Sequence, residues 1–403
     1  MTDNTTVPTL PQQLSQLFGS YRAEWMREQI FELYQEPTYF PELTNSGSCM
    51  LIGGRGTGKT TVLRGLSYAG QFALSGRRPS SIVAWRWFGL YYRVNTNHVT
   101  AFRGPELSDN EWTPLFAHYF NALICELILG FLEWYELHTD SIIDLGERAC
   151  QRVATSLHLP RAQNHHALRE HLVDSRIAFE AYINNVVDAQ RPPLSLQAVP
   201  IDLLCRAIVS LNAFQNKQFF FLIDEYENLL DYQQQVVNTL IKHASDLYCF
   251  KVGVRELGWR CHSTLNPNEQ LLHPADYTRI SIAEKLQGEV FKKFAFDVCS
   301  QRLSRLQLGG EDIIRDVGAA LPSLSEDAEA AMLRVEDHST AILASLRNQL
   351  TPAERVLAEA LPPLEVYFLQ FWATAQKVSV HSVFRDAISD PGGWRTRYEN
   401  YKH

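Results

Sequence analysis

Gly53-Gly54-Arg55-Gly56-Thr57-Gly58-Lys59-Thr60-Thr61 follows the short apolar run Cys49-Met50-Leu51-Ile52 and leads into Val62-Leu63-Arg64-Gly65-Leu66. The nine residues fit the phosphate-binding pattern G-x-x-x-x-G-K-[ST], and the setting predicts strand, tight turn and helix. A polyphosphate carries charge that must be desolvated. Glycines at 53, 54, 56 and 58 let successive backbone N–H groups turn inward around it and make an anion nest. Lys59 is placed to reach the β- and γ-phosphates and the Thr60 hydroxyl to ligate Mg²⁺. The helix opening at Thr60 points its positive end at the same place.

A second stretch, Phe219-Phe220-Phe221-Leu222-Ile223-Asp224-Glu225, is a continuous apolar run ending in two carboxylates. It predicts a strand buried on both faces, with its acids at the C-terminal tip where open α/β sheets hold their ligands. Asp224 is read as the Mg²⁺ carboxylate and Glu225 as the group that polarises the attacking water. Two acids are needed because one committed to a metal cannot also accept a proton. The two stretches together point to ATP hydrolysis rather than to binding alone.

With 403 residues and 45% apolar content, the chain can bury a large core in two or three domains. No run reaches 18 uninterrupted apolar residues, and Met1-Thr2-Asp3-Asn4-Thr5-Thr6 lacks a basic region followed by an apolar one, so the expected location is cytoplasmic. The seven cysteines form no C-x-x-C pair and read as buried free thiols. A net charge of −8 argues against a surface that grips nucleic acid over its whole area. A local basic patch stays open at Arg395, Arg397 and Lys402 among Trp394, Tyr398 and Tyr401; the alternative is a terminal helix packed through its rings.

Residues 1 to about 18 are expected to be loose and Tyr21 to Tyr34 helical. Ser81 to Trp85 and Gly89 to Val94 predict one long or two short strands. Lys59 and Asp224 lie 165 positions apart, more than one crossover requires, so a helical insertion is expected between about 105 and 200. Its helices run from Trp112 to Leu137, Ile142 to Leu157 and Ala167 to Val187, and a crossover helix from Ile201 to Phe214 follows. Their apolar content predicts an interaction surface. After the acids come a helix from Tyr232 to Ser245, the strand Tyr248 to Val254, a loop over 257–276, a strand Tyr277 to Ile282, and helices from Glu284 onward. Thr351-Pro352-Ala353-Glu354 is a helix start with a capping box.

The order of phosphate-loop strand, one intervening strand, Asp-Glu strand and a strand tipped by a polar residue resembles the additional-strand P-loop ATPases, the branch that holds AAA+ and STAND proteins. The resemblance implies that the polar residue at that last tip senses the γ-phosphate. Val252-Gly253-Val254-Arg255 looks like the version with arginine. On the residues alone, an arginine paired structurally with the adjacent Glu256 stands beside the sensor reading. GGRGTGKTT, LIDEYENLL and KVGVRELGWR, followed by a helical part, also resemble bacterial origin-recognition/Cdc6-like AAA-type ATPases, several of which are associated with antiphage defence. The likeness covers about residues 46 to 285. The long insertion and the lack of a second-sensor motif depart from the standard AAA+ pattern. ABC-type ATPases, the main competitor, would need an LSGGQ-like segment that residues 190–218 do not hold.

The expected fold is therefore an α/β parallel-sheet P-loop NTPase core of additional-strand type over 46–285, after an N-terminal helical segment 1–45 and before a helical C-terminal domain 286–403. ATP is expected on residues 53–61 and Mg²⁺ on Thr60 and Asp224, with Lys59, Glu225 and Arg255 in the chemistry. The expected function is an ATP-hydrolysing switch that assembles with an effector protein or with further copies of itself, with a role in antiviral defence. The alternatives are an origin-recognition-like DNA-binding ATPase and an ATP-stabilised scaffold with little turnover.

Overall fold

The computed structural model describes residues 10–19, 26, 28–305 and 325–402. The chain divides into two compact units, Met1–Val317 and Gly318–His403.

The first unit is built on five strands: β1 (Cys49–Ile52), β2 (Trp87–Arg93), β3 (Gln218–Asp224), β4 (Tyr248–Val254) and β5 (Thr278–Ser281). They form one sheet in the order β2-β3-β4-β1-β5, and every pairing is parallel. A parallel sheet covered on both faces needs strands apolar on both faces, which is why β3 and β4 read as unbroken apolar runs. Met50, Ile52, Phe219, Phe221 and Ile223 face one layer of helices. Cys49, Leu51, Phe220 and Leu222 face the other, which includes Val62, Leu63 and Leu66 of α1 (Lys59–Leu66).

The first helical layer contains the segment expected as an insertion. It comprises α2 (Asp109–Thr139), α3 (Glu147–Ser156), α4 (His165–Ile183) and α5 (Val199–Val209), joined after β3 by α6 (Asp231–Lys242). Ser108 and Glu111 start α2 with reciprocal capping bonds. Trp112, Phe116, Phe120, Ile124, Ile128 and Phe131 of α2 are buried in the same core as Phe88, Phe219 and Phe250 of the sheet. α2 is long and apolar enough to cross a membrane, but 78% of its apolar window is buried inside the protein. That burial takes up most of the apolar content on which the expected interaction surface rested. The apolar faces are taken up by the chain's own sheet, and Leu137, Ile142, Ile177, Val187 and Leu196 are the large apolar side chains of this segment left exposed.

Three local readings also change. Ser81 to Trp85 is not a strand: Pro79 opens a short helix, Pro79–Ile82, and Lys217 Nζ donates to the Val83 and Trp85 carbonyls, at 2.7 and 2.9 Å, that a strand would have paired. Leu10–Phe18, expected to be loose, is a helix whose Leu17 carbonyl accepts from Arg302 Nη1 of α7 (Gly288–Leu303) at 3.0 Å. Of the helix expected from Tyr21 to Tyr34, Gln29–Glu32 is helical, while residues 20–25 and 27 lie outside the described residues.

The second unit, taken by itself, is helical throughout its described residues. Ile342, Leu346, Val366, Leu369, Phe384 and Trp394 form its core. Thr351 caps Pro352–Glu359 with the expected Glu354 box. Trp394 of the basic aromatic segment is buried, with the Arg397 guanidinium 4.6 Å above its ring, so the packed-helix reading holds there.

Phe131 is 0% exposed and lies among the rings of Phe88, Phe214 and Phe219. Phe131→Ala should cost about 3–5 kcal/mol in denaturant unfolding. Leu137→Ala, on the exposed side of the same helix, should stay within about 0.5 kcal/mol. Equal effects would mean that α2 does not carry the core.

Candidate nucleotide site

The strand order decides where the two motifs meet. β1 delivers the glycine-rich loop and β3 the acids, with β4 between them, so all three strand ends open on one edge. There a polar cavity of about 390 Å³ is lined by Arg55, Gly56, Gly58, Lys59, Thr60 and Thr61 of the loop, Asp224 and Glu225 of the acids, and Arg255 from the tip of β4.

Gly56 and Gly58 have φ of +82° and +89°, the left-handed region in which a side chain is strained. Gly53 and Gly54 contribute their carbonyls. Lys59 Nζ, on a residue 8% exposed, donates to the Gly53 and Gly54 oxygens at 2.8 Å each. The loop therefore holds its own lysine. Burial pulls the Lys59 pKa below the ordinary lysine value, against the pull of Glu227 and Asp224 in the other direction. Thr57 Oγ1 donates to Gly54 O at 2.9 Å and holds the turn.

Asp224 is 1% exposed, and its carboxylate is held by neighbours of the site. Oδ2 takes Thr60 Oγ1 at 2.7 Å and Tyr91 Oη at 2.9 Å, and Oδ1 takes the Glu225 backbone N–H at 2.9 Å. Burial raises its pKa, opposed by the Thr60 and Tyr91 hydrogen bonds. A buried carboxylate beside a hydroxyl is a hard oxygen pair of the kind that suits Mg²⁺. Glu225 has φ +57°, a left-handed conformation costing about 1–2 kcal/mol for a residue with a side chain. Its Oε1 pairs with Arg93 Nη2 at 2.9 Å, and its Oε2 accepts from Asn228 Nδ2 at 3.0 Å.

Arg255 lines the cavity with its side chain 52% exposed, and its Nε pairs with Glu227 Oε1 at 2.7 Å. The structural partner considered from the sequence, Glu256, turns instead to Arg279 at 3.6 Å. Tyr91, Arg93, Glu227 and Asn228 went unassigned in the sequence. For two of them the signal was strand register: Arg93 pairs with Asp224 and Tyr91 with Leu222, so in a parallel β2-β3 pair the end of β2 supplies side chains to the acids of β3.

A family model described as ORC-CDC6-like matches residues 16–403. No curated protein and no solved structure matches the chain.

The raised Asp224 pKa has a directional consequence. On the expectation that Asp224 holds Mg²⁺, a proton and the ion would compete for one carboxylate, so Mg²⁺-dependent nucleotide binding should weaken as pH falls, from a higher pH than for an ordinary aspartate. Glu225, Glu227 and Lys59 face the same cavity and are common to every comparison. Tyr91→Phe removes a bond that favours the ionised form, so its profile should move to higher pH still. Mg²⁺ titrations of nucleotide binding at several pH values test this, and superimposable profiles for the two proteins would refute it.

Proposed function

The chain belongs to the ORC-CDC6-like family of AAA-type ATPases, and on that footing we propose that it is a Mg²⁺-dependent, ATP-hydrolysing switch. The observation that carries the reading is the convergence of Lys59, Thr60, Asp224, Glu225 and Arg255 on one cavity at the open edge of the parallel sheet. Gly53, Gly54, Arg55, Gly56, Thr57, Gly58 and Thr61 form the phosphate cradle with Lys59. Thr60 and Asp224 hold Mg²⁺, which neutralises charge on the phosphates. Glu225 accepts the proton of the attacking water once a water stands where Arg93 and Asn228 now hold the carboxylate.

Arg255 is proposed to report the γ-phosphate. Its present partner is Glu227, in an ion pair whose arginine side chain is 52% exposed and whose glutamate side chain is 10% exposed. A phosphate oxygen offers a charge-assisted bond worth about 1.5–3 kcal/mol in exchange, enough to bias a two-state element ten- to a hundredfold. On this reading the chain is a cytoplasmic switch that signals to an effector protein or to another copy of the chain, with antiviral defence as the proposed setting. The family match supports a second reading, an origin-recognition-like ATPase that binds DNA. Salt-dependent DNA binding by the purified chain, changed by ATP, would favour it over the first.

Lys59→Ala should abolish nucleotide binding and turnover together. Glu225→Gln should keep ATP binding and lower turnover by about 10²–10⁴-fold, the usual contribution of a positioned base. Steady-state hydrolysis and equilibrium nucleotide binding on both variants separate the roles. Wild-type turnover in Glu225→Gln would rule Glu225 out as the base.

A further inference from the structure

Four side chains outside the nucleotide cavity form a second constellation. Glu133 and Glu136 lie near the end of α2, and His165 and His166 open α4. Glu136 Oε2 is faced by two imidazole nitrogens, His165 Nε2 at 3.2 Å and His166 Nε2 at 3.1 Å, and the three atoms lie within 4.8 Å of one another. Its other oxygen accepts from the Ile143 backbone N–H at 2.7 Å, which fixes the carboxylate. His166 turns its second nitrogen, Nδ1, to Glu133 Oε1 at 3.4 Å, and Glu133 is itself held by Arg169 Nη1 at 2.6 Å.

Neutral rings and their protons do not satisfy this arrangement. A neutral imidazole has a single N–H, yet His166 presents a nitrogen to a carboxylate on each side. When Nδ1 donates to Glu133, the Nε2 lone pair points at Glu136 Oε2, and a positive centre has to stand between them. His165 is 2% exposed, and its Nδ1 has no partner among the described residues. Neutral imidazole is the form that ligates metals.

The spacing fits an ion. Ligands held about 2.0–2.1 Å from a tetrahedral zinc stand about 3.3 Å from each other, close to the 3.2 and 3.1 Å from Glu136 Oε2 to the His165 and His166 nitrogens, which themselves lie within 4.8 Å of one another. Two imidazoles and one carboxylate suit zinc better than magnesium or calcium. His166, with 54% of its side chain exposed, leaves the fourth position open to water. A carboxylate on the far nitrogen of a ligating histidine is the usual outer support of such sites, and Glu133 supplies it.

We infer that Glu136, His165 and His166 bind a divalent transition ion of the zinc class, with Glu133 orienting His166. The ion joins α2, the turn at Ile143 and the start of α4, at a site that shares no residue with the nucleotide cavity.

The test uses the full chain stripped with a chelator and titrated with Co²⁺ as an optical probe, then with Zn²⁺, in the absence of nucleotide. The expected result is one Co²⁺ per chain with visible d–d absorption of a four-coordinate site, lost when Zn²⁺ displaces it, and a melting temperature raised by Zn²⁺. Glu133→Gln should weaken binding about 10–100-fold. His166→Ala, at a half-exposed position, should lose the band while keeping wild-type circular dichroism and nucleotide binding. Two results would overturn the inference. One is a wild-type protein with no band and no thermal shift. The other is a band that survives in His166→Ala, which would put the ion elsewhere.

Discussion

The hydrogen bond from Thr60 Oγ1 to Asp224 Oδ2, 2.7 Å long, ties together residues 164 positions apart and sets the geometry of everything around it. Thr60 follows β1 and Asp224 ends β3, yet these strands are not neighbours, because β4 runs between them. Adjacent strands are about 4.8 Å apart, so the bond has to cross the full width of one strand. Gly253 of β4 makes that possible. A Cβ at this position would stand 2.8 Å from Leu63 Cδ1 and 3.0 Å from Asp224 Oδ1. With no side chain there, the carboxylate reaches past β4 to the loop helix, and Arg255, two residues on, emerges into the same space.

The site is also a set of charges held in reserve. Lys59 is bonded to loop carbonyls, Arg93 to Glu225 and Arg255 to Glu227. Each of these cations has an internal partner, so on the proposed function a triphosphate would exchange bonds rather than fill a gap. Glu225 in a left-handed conformation and Asp224 with burial opposing its charge carry a free-energy cost in this state. The layer of α2 to α6 behind the sheet is what supports that cost: its aromatic core fixes β3 from Phe219 to Ile223, and the two acids project from the end of that rigid strand.

The sheet and the residues that meet at its edge were legible because their signals are local. β3 and β4 announce themselves as unbroken apolar runs, and β4 has the expected limits, Tyr248 to Val254. The glycine loop carries its own spacing. What stayed hidden depends on register and on long-range pairing. Tyr91 and Arg93 reach the acids through the β2-β3 pairing, and Arg255 pairs with Glu227, in the turn after β3, while its sequence neighbour Glu256 pairs with Arg279. Ser81 to Trp85 is β-branched and aromatic, yet Pro79 and the reach of Lys217 make it helix and turn. The apolarity of α2 was visible from sequence, but its target, the chain's own sheet, was not.

The account stands on the claim that a nucleoside triphosphate displaces the internal partners of the cavity's cations. A structure of the full chain with Mg²⁺ and a non-hydrolysable ATP analogue tests that most directly. The predicted result has Lys59 Nζ off the Gly53 and Gly54 carbonyls and on the phosphates, Thr60 and Asp224 on the metal, and Arg255 off Glu227 and directed at the γ-phosphate. An analogue bound in the cavity while Lys59 and Arg255 keep their present partners would contradict it.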